Sequence, residues 1–332
     1  MASPLLMTPA LAIFYAGMVR AKNVLGTIMQ SFILIGVVSL EWVYLGYSMS
    51  FGPDVAGIIG DLSWFGLKGV SAGPNEAYGP TIPHLAFAIF QCMFAVITPA
   101  LITGAFAERV RFGPFLLFSV LWAVLVYNPV CHWVWGTGGW LKNLGVLDFA
   151  GGLVVHLSCG AAALAAVTVI RPRKGFHTDS FIPHNLPMTL IGTGLLWFGW
   201  FGFNGGSALA ADGIAGSAFV ATHLGGMAGL VTWVALEWRH RGKPTTLGAA
   251  SGAVAGLATR AVNPTGMDGL LAGNTSLLLS QAVGVVAVGT FVFCASWVLL
   301  KVVDSLYGLR VPEYTELQGL DLGEHSETAY GA

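Results

Sequence analysis

Charged residues are scarce in this sequence of 332 residues: Asp, Glu, Lys and Arg together make up 9%, against about 25% in soluble proteins. Hydrophobic residues make up 55%, so the chain has too few polar side chains to cover a core with a water-facing surface. A soluble domain is therefore excluded, and an all-α polytopic membrane protein is predicted. The formal net charge of −1 provides no basic field for nucleic acid, and no nucleic-acid partner is expected.

Cysteine is scarce too, and the four cysteines are far apart in the sequence: Cys92, Cys131, Cys159 and Cys294. No two of them have the CxxC spacing of a metal or redox site, and each lies in an apolar segment. The HExxH motif of zinc hydrolases is also absent from the sequence. We therefore predict no disulfide framework, no metal site and no cofactor.

Apolar runs of about 20 residues, enough to cross roughly 30 Å of hydrocarbon, recur along the chain. They predict about nine spans in the lipid bilayer: Pro4–Val19, Met29–Phe51, His84–Phe106, Phe115–Trp135, Phe149–Ile170, Asn185–Asn204, Ser217–Trp238, Leu247–Ala261 and Leu277–Val303.

Basic residues are distributed unevenly between the two sets of alternate loops. One set holds twelve of the fifteen: Arg20, Lys22, Arg109, Arg111, Arg171, Arg173, Lys174, Arg239, Arg241, Lys243, Lys301 and Arg310. The other set holds Lys68, Lys142 and Arg260. Because Lys and Arg concentrate in cytoplasmic loops, we expect a multi-pass protein of the cell (inner) membrane, with its N-terminus outside and its C-terminus in the cytoplasm.

Two titratable residues stand out in the stretch LDFAGGLVVHLSCG. Asp148 begins the fifth predicted span, where an acid can cap free N–H groups or favour a nearby cation. His156 follows eight residues later, which in a regular α-helix is about 12 Å deeper and about 80° around the axis. A buried histidine can be a satisfied core residue, but titratable groups at membrane depth often mark a transport pathway. Both interpretations remain open for both residues.

Aromatic residues and one serine are predicted to gather near the outer ends of three other spans. Aromatic residues are common at membrane interfaces and in cores, yet aromatic faces can also attract a small cation. Ser207 could accept a hydrogen bond from such a cation. The residues are Trp135 on the fourth span, Phe90 and Phe94 on the third, and Trp200, Phe203 and Ser207 on the sixth.

At these residues the chain resembles the ammonium transporter (Amt/Mep/Rhesus) family. The matching motifs occur in the family's order and cover most of the chain: FYAGMVRAKNVL, FQCMF, GAFAERVRF, HWVWGTGGW, LDFAGGLVVHLSCGAAAL, PHNLPM, GWFGFNGGSA and YGLRVPEYTELQGLDLGEHSETAYG. The resemblance implies the ammonium-transporter fold, an inverted-repeat helical bundle. It also implies transport of ammonium or ammonia, with methylammonium as a further candidate substrate.

For the outer half of the pathway, the resemblance implies a recruitment site formed by Trp135, Ser207 and Phe90. Asp148 would be the buried acid that holds the vestibule in shape and favours a cation nearby. Because family members are trimers whose tails can meet PII-type signalling proteins, a homotrimer and a PII-type partner at the cytoplasmic face are expected as well.

For the deeper half, the resemblance implies a gate of two stacked rings, Phe94 and Phe203. Trp200 would line the pore below the gate. His156 would be the first of two pore histidines that hydrogen-bond each other along an apolar conduit.

The chain departs from the family pattern after the eighth helix. The family has eleven spans, and its second pore histidine lies on the tenth in a valine–histidine–glycine context that this sequence lacks. SGAVAGLA resembles the family's eighth helix, whereas ATRAVNPTGMDGLLAGN resembles the end of the tenth. We therefore predict a transmembrane domain over residues 1–310, with an internal deletion near 257–259, and a cytoplasmic tail over residues 311–332. The acidic tail is either a solvated end or a docking segment for a regulator.

Three functional hypotheses follow from these observations. The first is an ammonium transporter that lacks the ninth and most of the tenth span. The second is a transport-inactive paralogue or fragment that acts as an ammonium sensor or as a partner subunit. The third, an intramembrane enzyme using Asp148 and His156, is disfavoured because no metal motif and no paired nucleophile accompany them.

Overall fold

Long apolar helices follow one another along most of the chain. The computed structural model describes residues 3–257 and 275–331. Its helices are α1 Ser3–Met18, α2 Ala21–Phe51, α3 His84–Phe106, α4 Phe112–Asn143, α5 Gly152–Ile170, α6 Leu186–Gly206, α7 Gly213–Arg241, α8 Thr246–Leu257, α9 Thr275–Tyr307, α10 Glu313–Gln318 and α11 Leu320–His325. The strands are β1 Asp54–Val55, β2 Ile59–Gly60, β3 Pro74–Asn75 and β4 Gly79–Pro83.

The helix pattern confirms the membrane-protein fold class. Seven helices in the described ranges are long and apolar enough to cross a membrane, and α1 and α8 are shorter apolar helices. These nine helices correspond in order to the nine predicted spans. The eighth was predicted to end at Ala261, but α8 ends at Leu257, and the rest of that span lies outside the described residues. Thr259 and Arg260 lie outside them as well.

The helices form one bundle in which α3 is central. It packs against α1, α2 and α5, while α9 covers α4 and α5, and α7 and α8 pack against α6. The two longest helices in the second half of the chain, α7 and α9, leave most of their apolar residues exposed, as expected for helices that face lipid. Two antiparallel hairpins, β1–β2 and β3–β4, fill the connection between α2 and α3.

Three of the long helices contain a π-helical turn: Trp42–Gly46 in α2, Ala123–Tyr127 in α4 and Gly152–Leu157 in α5. In α5 the His156 N–H donates to the carbonyl of Gly151, five residues back, at 2.9 Å. A π turn inserts one residue into the helical register and often accompanies a functional site. The side chain of His156 is therefore turned away from the direction that a regular α-helix would give it.

Glycines let α7 and α8 approach at backbone distance. A Cβ built at Gly229 would lie 2.9 Å from the Cα of Gly256, so even alanine would force the helices apart. Close helix contacts over small residues are common in membranes, where lipid chains are as apolar as leucine and offer little hydrophobic drive for association.

The acidic tail folds back onto the ends of the membrane helices. The Gly26 N–H donates to Asp321 Oδ1 at 2.8 Å, and the Leu320 N–H donates to Asn23 Oδ1 at 2.8 Å. Glu324 accepts from the N–H of Phe112 at 2.8 Å, at the start of α4. Because these carboxylates cap free N–H groups, the interpretation of the tail as a solvated end is wrong.

Glu316 is one of two carboxylates of this docked tail, with Asp321, that are only 2% exposed. It binds the Arg310 guanidinium at 2.7 and 3.1 Å and accepts from the Lys174 N–H at 2.6 Å. Lys174 also pairs with Glu313 at 2.8 Å, but both of those side chains are more than half exposed. The buried contact should therefore hold the tail more strongly than the surface pair.

We expect Glu316→Ala to loosen the tail, because it removes the carboxylate that Arg310 and the Lys174 N–H share. Arg310 keeps its bonds to the Ile170 and Pro172 carbonyls, and the loss of a hydrogen bond to a charged group costs about 1.5–3 kcal/mol. Limited proteolysis of the purified protein should cut the variant after Arg310 much faster than the unmodified chain. Glu313→Ala is the matched control, since an exposed pair contributes less than about 1 kcal/mol. Equal cleavage of the two variants would contradict the docking role of Glu316.

Candidate functional site

The first cavity is a recess of about 170 Å³ between the β3–β4 hairpin and the ends of α3, α4 and α6. Four of the residues singled out from the sequence lie in its wall. The lining residues are Phe51, Ala77, Tyr78, Phe87, Gln91, Phe94, Trp135, Lys142, Asp148, Phe149, Ser207 and Leu209. The structure therefore brings these four residues together from three separate helices and the start of α5.

Trp135 and Ser207 present an aromatic face and a hydroxyl group to this cavity. The Trp135 Nε1–H donates to the backbone carbonyl of Asp148 at 2.8 Å, which fixes the indole ring. The Ser207 hydroxyl donates to the Phe203 carbonyl at 2.8 Å, so its lone pairs stay available to accept a hydrogen bond. The wall thus offers π density and a free hydroxyl acceptor, which suits a small cation with N–H groups. The side-chain oxygen of Gln91, a residue of the same wall, has no hydrogen-bond partner among the described residues either.

Asp148 caps the start of α5. Each of its carboxylate oxygens accepts two backbone N–H groups, those of Gly151 and Gly152 at 2.7 Å and those of Leu153 and Val154 at 2.8 and 3.0 Å. Gly151 has φ +96°, which a residue with a side chain rarely adopts. Burial raises the pKa of Asp148, and the four N–H donors oppose that change. Its role as a helix cap is therefore supported, and its oxygens have no free direction for a direct ligand.

Two phenyl rings in close contact close the bottom of the first cavity. The ring centroids of Phe94 and Phe203 are 4.1 Å apart, their planes are tilted by 31°, and both side chains are about 1% exposed. Phe90 lies behind them: it is 1% exposed, its ring is 4.9 Å from Phe94, and it is absent from the cavity lining. Phe90 was predicted to line the recruitment site, but the lining residue at this position of α3 is its neighbour Gln91. The helical spacing of Phe87, Gln91 and Phe94 could have identified this face.

The second cavity, of only about 10 Å³, lies on the other side of Phe203. Its lining is apolar except for the ring nitrogens of His156 and Trp200. The lining residues are Met7, Leu11, Ile97, Leu101, Val155, His156, Leu196, Trp200, Phe203 and Val254. The imidazole of His156 stacks on Trp200 at 5.9 Å and 22°, and lies 5.9 Å from Phe203. Within residues 3–257 and 275–331, the ring nitrogens of His156 have no hydrogen-bond partner, so no second histidine faces it there.

The third cavity, of about 380 Å³, opens where α3 ends. Its lining residues are Tyr15, Met18, Val19, Thr27, Gly104, Ala105, Ala107, Arg109, Val167, Arg173 and Phe176. The sequence did not predict this cavity, because its wall combines residues of four helices and of the connections after them that are far apart along the chain.

A buried carboxylate lies beside this third cavity. Glu108 is 1% exposed and pairs with Arg20 at 2.8 Å and Arg173 at 3.1 Å. Burial acts to raise the pKa of Glu108, but hydrogen bonds from Arg20 and the charges of Arg20 and Arg173 outweigh it, so its pKa lies below its ordinary value.

The three cavities follow one another along α3. On this helix they are lined in turn by Gln91 and Phe94, by Ile97 and Leu101, and by Gly104 and Ala105. From Gln91 to Ala105, at 1.5 Å per residue, the series covers roughly 21 Å, about two thirds of the thickness of the hydrocarbon core. The arrangement is a file of cavities interrupted by the Phe94–Phe203 ring pair.

Comparison with known proteins identifies the family of the chain that contains these cavities. A family model described as the Ammonium Transporter Family matches residues 1–264 and 258–330. The chain belongs to this family. Together with its apolar helices, family membership makes it a multi-pass membrane protein.

Curated relatives of this ammonium transporter family cover nearly the whole chain. An ammonium transporter of Bacillus subtilis (strain 168) is 46% identical, over 98% of this chain and 95% of the relative. Ammonium transporter Amt1 of Archaeoglobus fulgidus is 40% identical, over 98% and 96%. Among solved structures, Saccharomyces cerevisiae Mep2 superposes with a TM-score of 0.85 at 27% identity, over 94% of this chain and 85% of Mep2.

The alignments also bear on the predicted gap in the chain. The alignment to the Bacillus subtilis relative has 388 positions, whereas this chain has 332 residues, so the relative carries residues that this chain lacks. The two parts of the family-model match overlap over residues 258–264, which lie outside the described residues.

Proposed function

We propose that this chain transports ammonium or ammonia across the cell membrane through the file of three cavities. The observation that carries the proposal is this file, interrupted by the Phe94–Phe203 ring pair and followed by His156 in an apolar wall. The curated relatives, which are described as ammonium transporters, support the same substrate. Methylammonium is a second substrate in this proposal.

In this proposal the first cavity recruits the cation. An ammonium ion loses part of its hydration there, and the rings of Trp135 and Phe94 together with the Ser207 hydroxyl replace some of it. Phe90 supports Phe94 from behind rather than touching the ion. Asp148 does not contact the ion, since its carboxylate oxygens already accept four backbone N–H groups. It holds the start of α5 in the conformation that shapes the cavity.

Below the Phe94–Phe203 ring pair the pathway favours the uncharged form. The second cavity offers a single nitrogen acceptor, His156, within an apolar wall that includes Trp200, and an unpaired charge there would be costly. Ammonium can give up a proton before passing this point, whereas potassium has no proton to give. The imidazole can accept a hydrogen bond from ammonia as it passes.

The assembly and orientation that fit this role are a homotrimer with the N-terminus outside and the tail in the cytoplasm. The docked tail supports a PII-type partner, because it presents exposed apolar side chains next to its buried acids: Tyr314, Leu317, Leu322 and Tyr330. An intramembrane enzyme is disfavoured, since the Asp148 oxygens are engaged by N–H groups.

One observation favours the second hypothesis, a transport-inactive partner or sensor. This chain lacks residues that its aligned relative carries. In the predicted deletion of the ninth and most of the tenth span near 257–259, the conduit loses one wall and the second pore histidine. Labelled methylammonium uptake in cells without their own ammonium transporters separates the two. We expect uptake by this chain; uptake only after insertion of the relative's extra segment would contradict transport by the chain as it stands.

The side-chain ammonium group of Lys142 competes with the substrate cation for the first cavity, since Lys142 is one of its lining residues. Its Nζ donates to the Trp135 carbonyl at 3.0 Å and lies 5.8 Å from the centre of the Tyr78 ring. We expect Lys142→Met to lower the half-saturating concentration of methylammonium several-fold, because like charges about 4 Å apart repel by about 1 kcal/mol even in water. Lys68→Met, a change at a lysine outside the cavity lining, is the control and should leave that concentration unchanged. An unchanged value in Lys142→Met would contradict this role of Lys142.

A further inference from the structure

We propose that the third cavity binds a small oxyanion, of the phosphate or carboxylate class, between Arg109 and Arg173. Both arginines line this cavity, and among residues 3–257 and 275–331 no acidic residue lines it. The proposed transport route passes through this cavity, but it gives no role to the two arginines.

Arg109 is a buried cation without an anionic partner. It is 8% exposed, and its two terminal nitrogens donate to the neutral carbonyls of Ala107 at 3.0 Å and Ala105 at 2.9 Å. Its Nε–H has no acceptor, and it pairs with no carboxylate among residues 3–257 and 275–331. Buried charges are normally paired or neutralised, so this guanidinium leaves a positive charge uncompensated.

The charges around Arg109 increase this imbalance. Glu108 is shared between Arg20 and Arg173, so one carboxylate serves two guanidinium groups. Burial, with added repulsion from Arg173 and Arg310, lowers the pKa of Arg109 to about 10, against the attraction of Glu316 and Glu108. At neutral pH the group is still charged, and the local excess of positive charge attracts an anion.

The size and the donors of the cavity fit an oxyanion. A volume of about 380 Å³ accommodates a phosphate or a short dicarboxylate with some water, since liquid water takes roughly 30 Å³ per molecule. Planar guanidinium groups bind such oxygens with paired hydrogen bonds. The two hydroxyl groups in the wall, those of Tyr15 and Thr27, already donate to the carbonyls of Leu101 and Asn23.

Calorimetric titration of the purified full-length chain in neutral detergent tests the site, with inorganic phosphate and malonate as separate probes at constant ionic strength. We expect one of them to bind saturably. Saturation by phosphate assigns the phosphate class, and saturation by malonate assigns the carboxylate class. The absence of saturable binding of both probes would overturn the proposal.

Matched arginine variants decide whether the binding is at this cavity. We expect Arg173→Met to weaken binding at least about tenfold, whereas Arg171→Met, an exposed neighbour in the same loop, should leave it unchanged. Arg173→Lys keeps the pair with Glu108 and tests the need for the planar guanidinium if the Met variant fails to fold; it should weaken binding several-fold. Equal binding by Arg171→Met and the folded Arg173 variants would overturn the assignment.

Discussion

Replacing Asp148 with alanine should remove most folded protein and reduce methylammonium uptake more than tenfold. The change leaves four N–H groups of the α5 start without acceptors. Gly152 is exposed, but the other three donors belong to buried residues, and each unsatisfied buried donor costs about 1–3 kcal/mol. Their sum approaches the whole stability of a typical folded domain, about 5–15 kcal/mol. Thermal unfolding followed by size-exclusion chromatography in detergent measures the loss, and the uptake assay reports its effect on transport.

Asp212→Ala is the matched control for this prediction. Asp212 also caps a membrane helix, accepting from the N–H groups of Ile214 and Ala215 at 2.9 and 3.0 Å, but it is exposed to solvent. An exposed cap contributes about 1 kcal/mol, so this variant should melt only slightly earlier. If Asp148→Ala melted at the same temperature as Asp212→Ala, the structural importance assigned to Asp148 would be wrong.

Replacing His156 with alanine should reduce uptake by about tenfold or more while leaving the fold intact. Among residues 3–257 and 275–331, the imidazole provides the only nitrogen acceptor in the wall of the second cavity. Without it, a passing ammonia molecule crosses that wall with no hydrogen-bond partner, a loss of about 1–3 kcal/mol, where 1.4 kcal/mol corresponds to a factor of ten. Uptake per folded molecule, normalised by chromatography, is the measurement.

His223 provides the control for His156. It also lies on an apolar helix, α7, but it is exposed, contacts the rings of Trp197 and Phe201 at 5.6 and 6.2 Å, and belongs to none of the three cavities. His223→Ala should therefore transport like the unmodified chain. Equal uptake by the two histidine variants would show that His156 has no special place in the pathway.

The sequence predicted the helices well because a membrane span leaves a strong signal. Length, hydropathy and the distribution of basic residues are sufficient to define most spans, and eight of the predicted residues belong to the walls or the gate of the first two cavities or contact them. Helix ends were less certain: α7 was predicted to begin at Ser217 but begins at Gly213.

The orientation of the side chains in the site depends on local helix geometry and on contacts between distant segments, which the sequence does not show directly. The distance and angle expected between Asp148 and His156 assumed a regular helix, but the carboxylate precedes Gly152 and a π turn follows. Phe90 was placed in the cation site on a motif, whereas the helical face that lines the cavity is that of Phe87, Gln91 and Phe94. The third cavity and the docked tail depend on contacts between distant segments, which spacing along the chain cannot reveal.

Transport by the purified chain alone tests the central proposal most directly, because it excludes partner subunits. Liposomes containing only this protein should take up labelled methylammonium faster than empty liposomes, with inhibition by ammonium and none by potassium, and with slower uptake for His156→Ala. Uptake no faster than that of empty liposomes, from protein that is folded by chromatography, would contradict the account and favour the transport-inactive alternative.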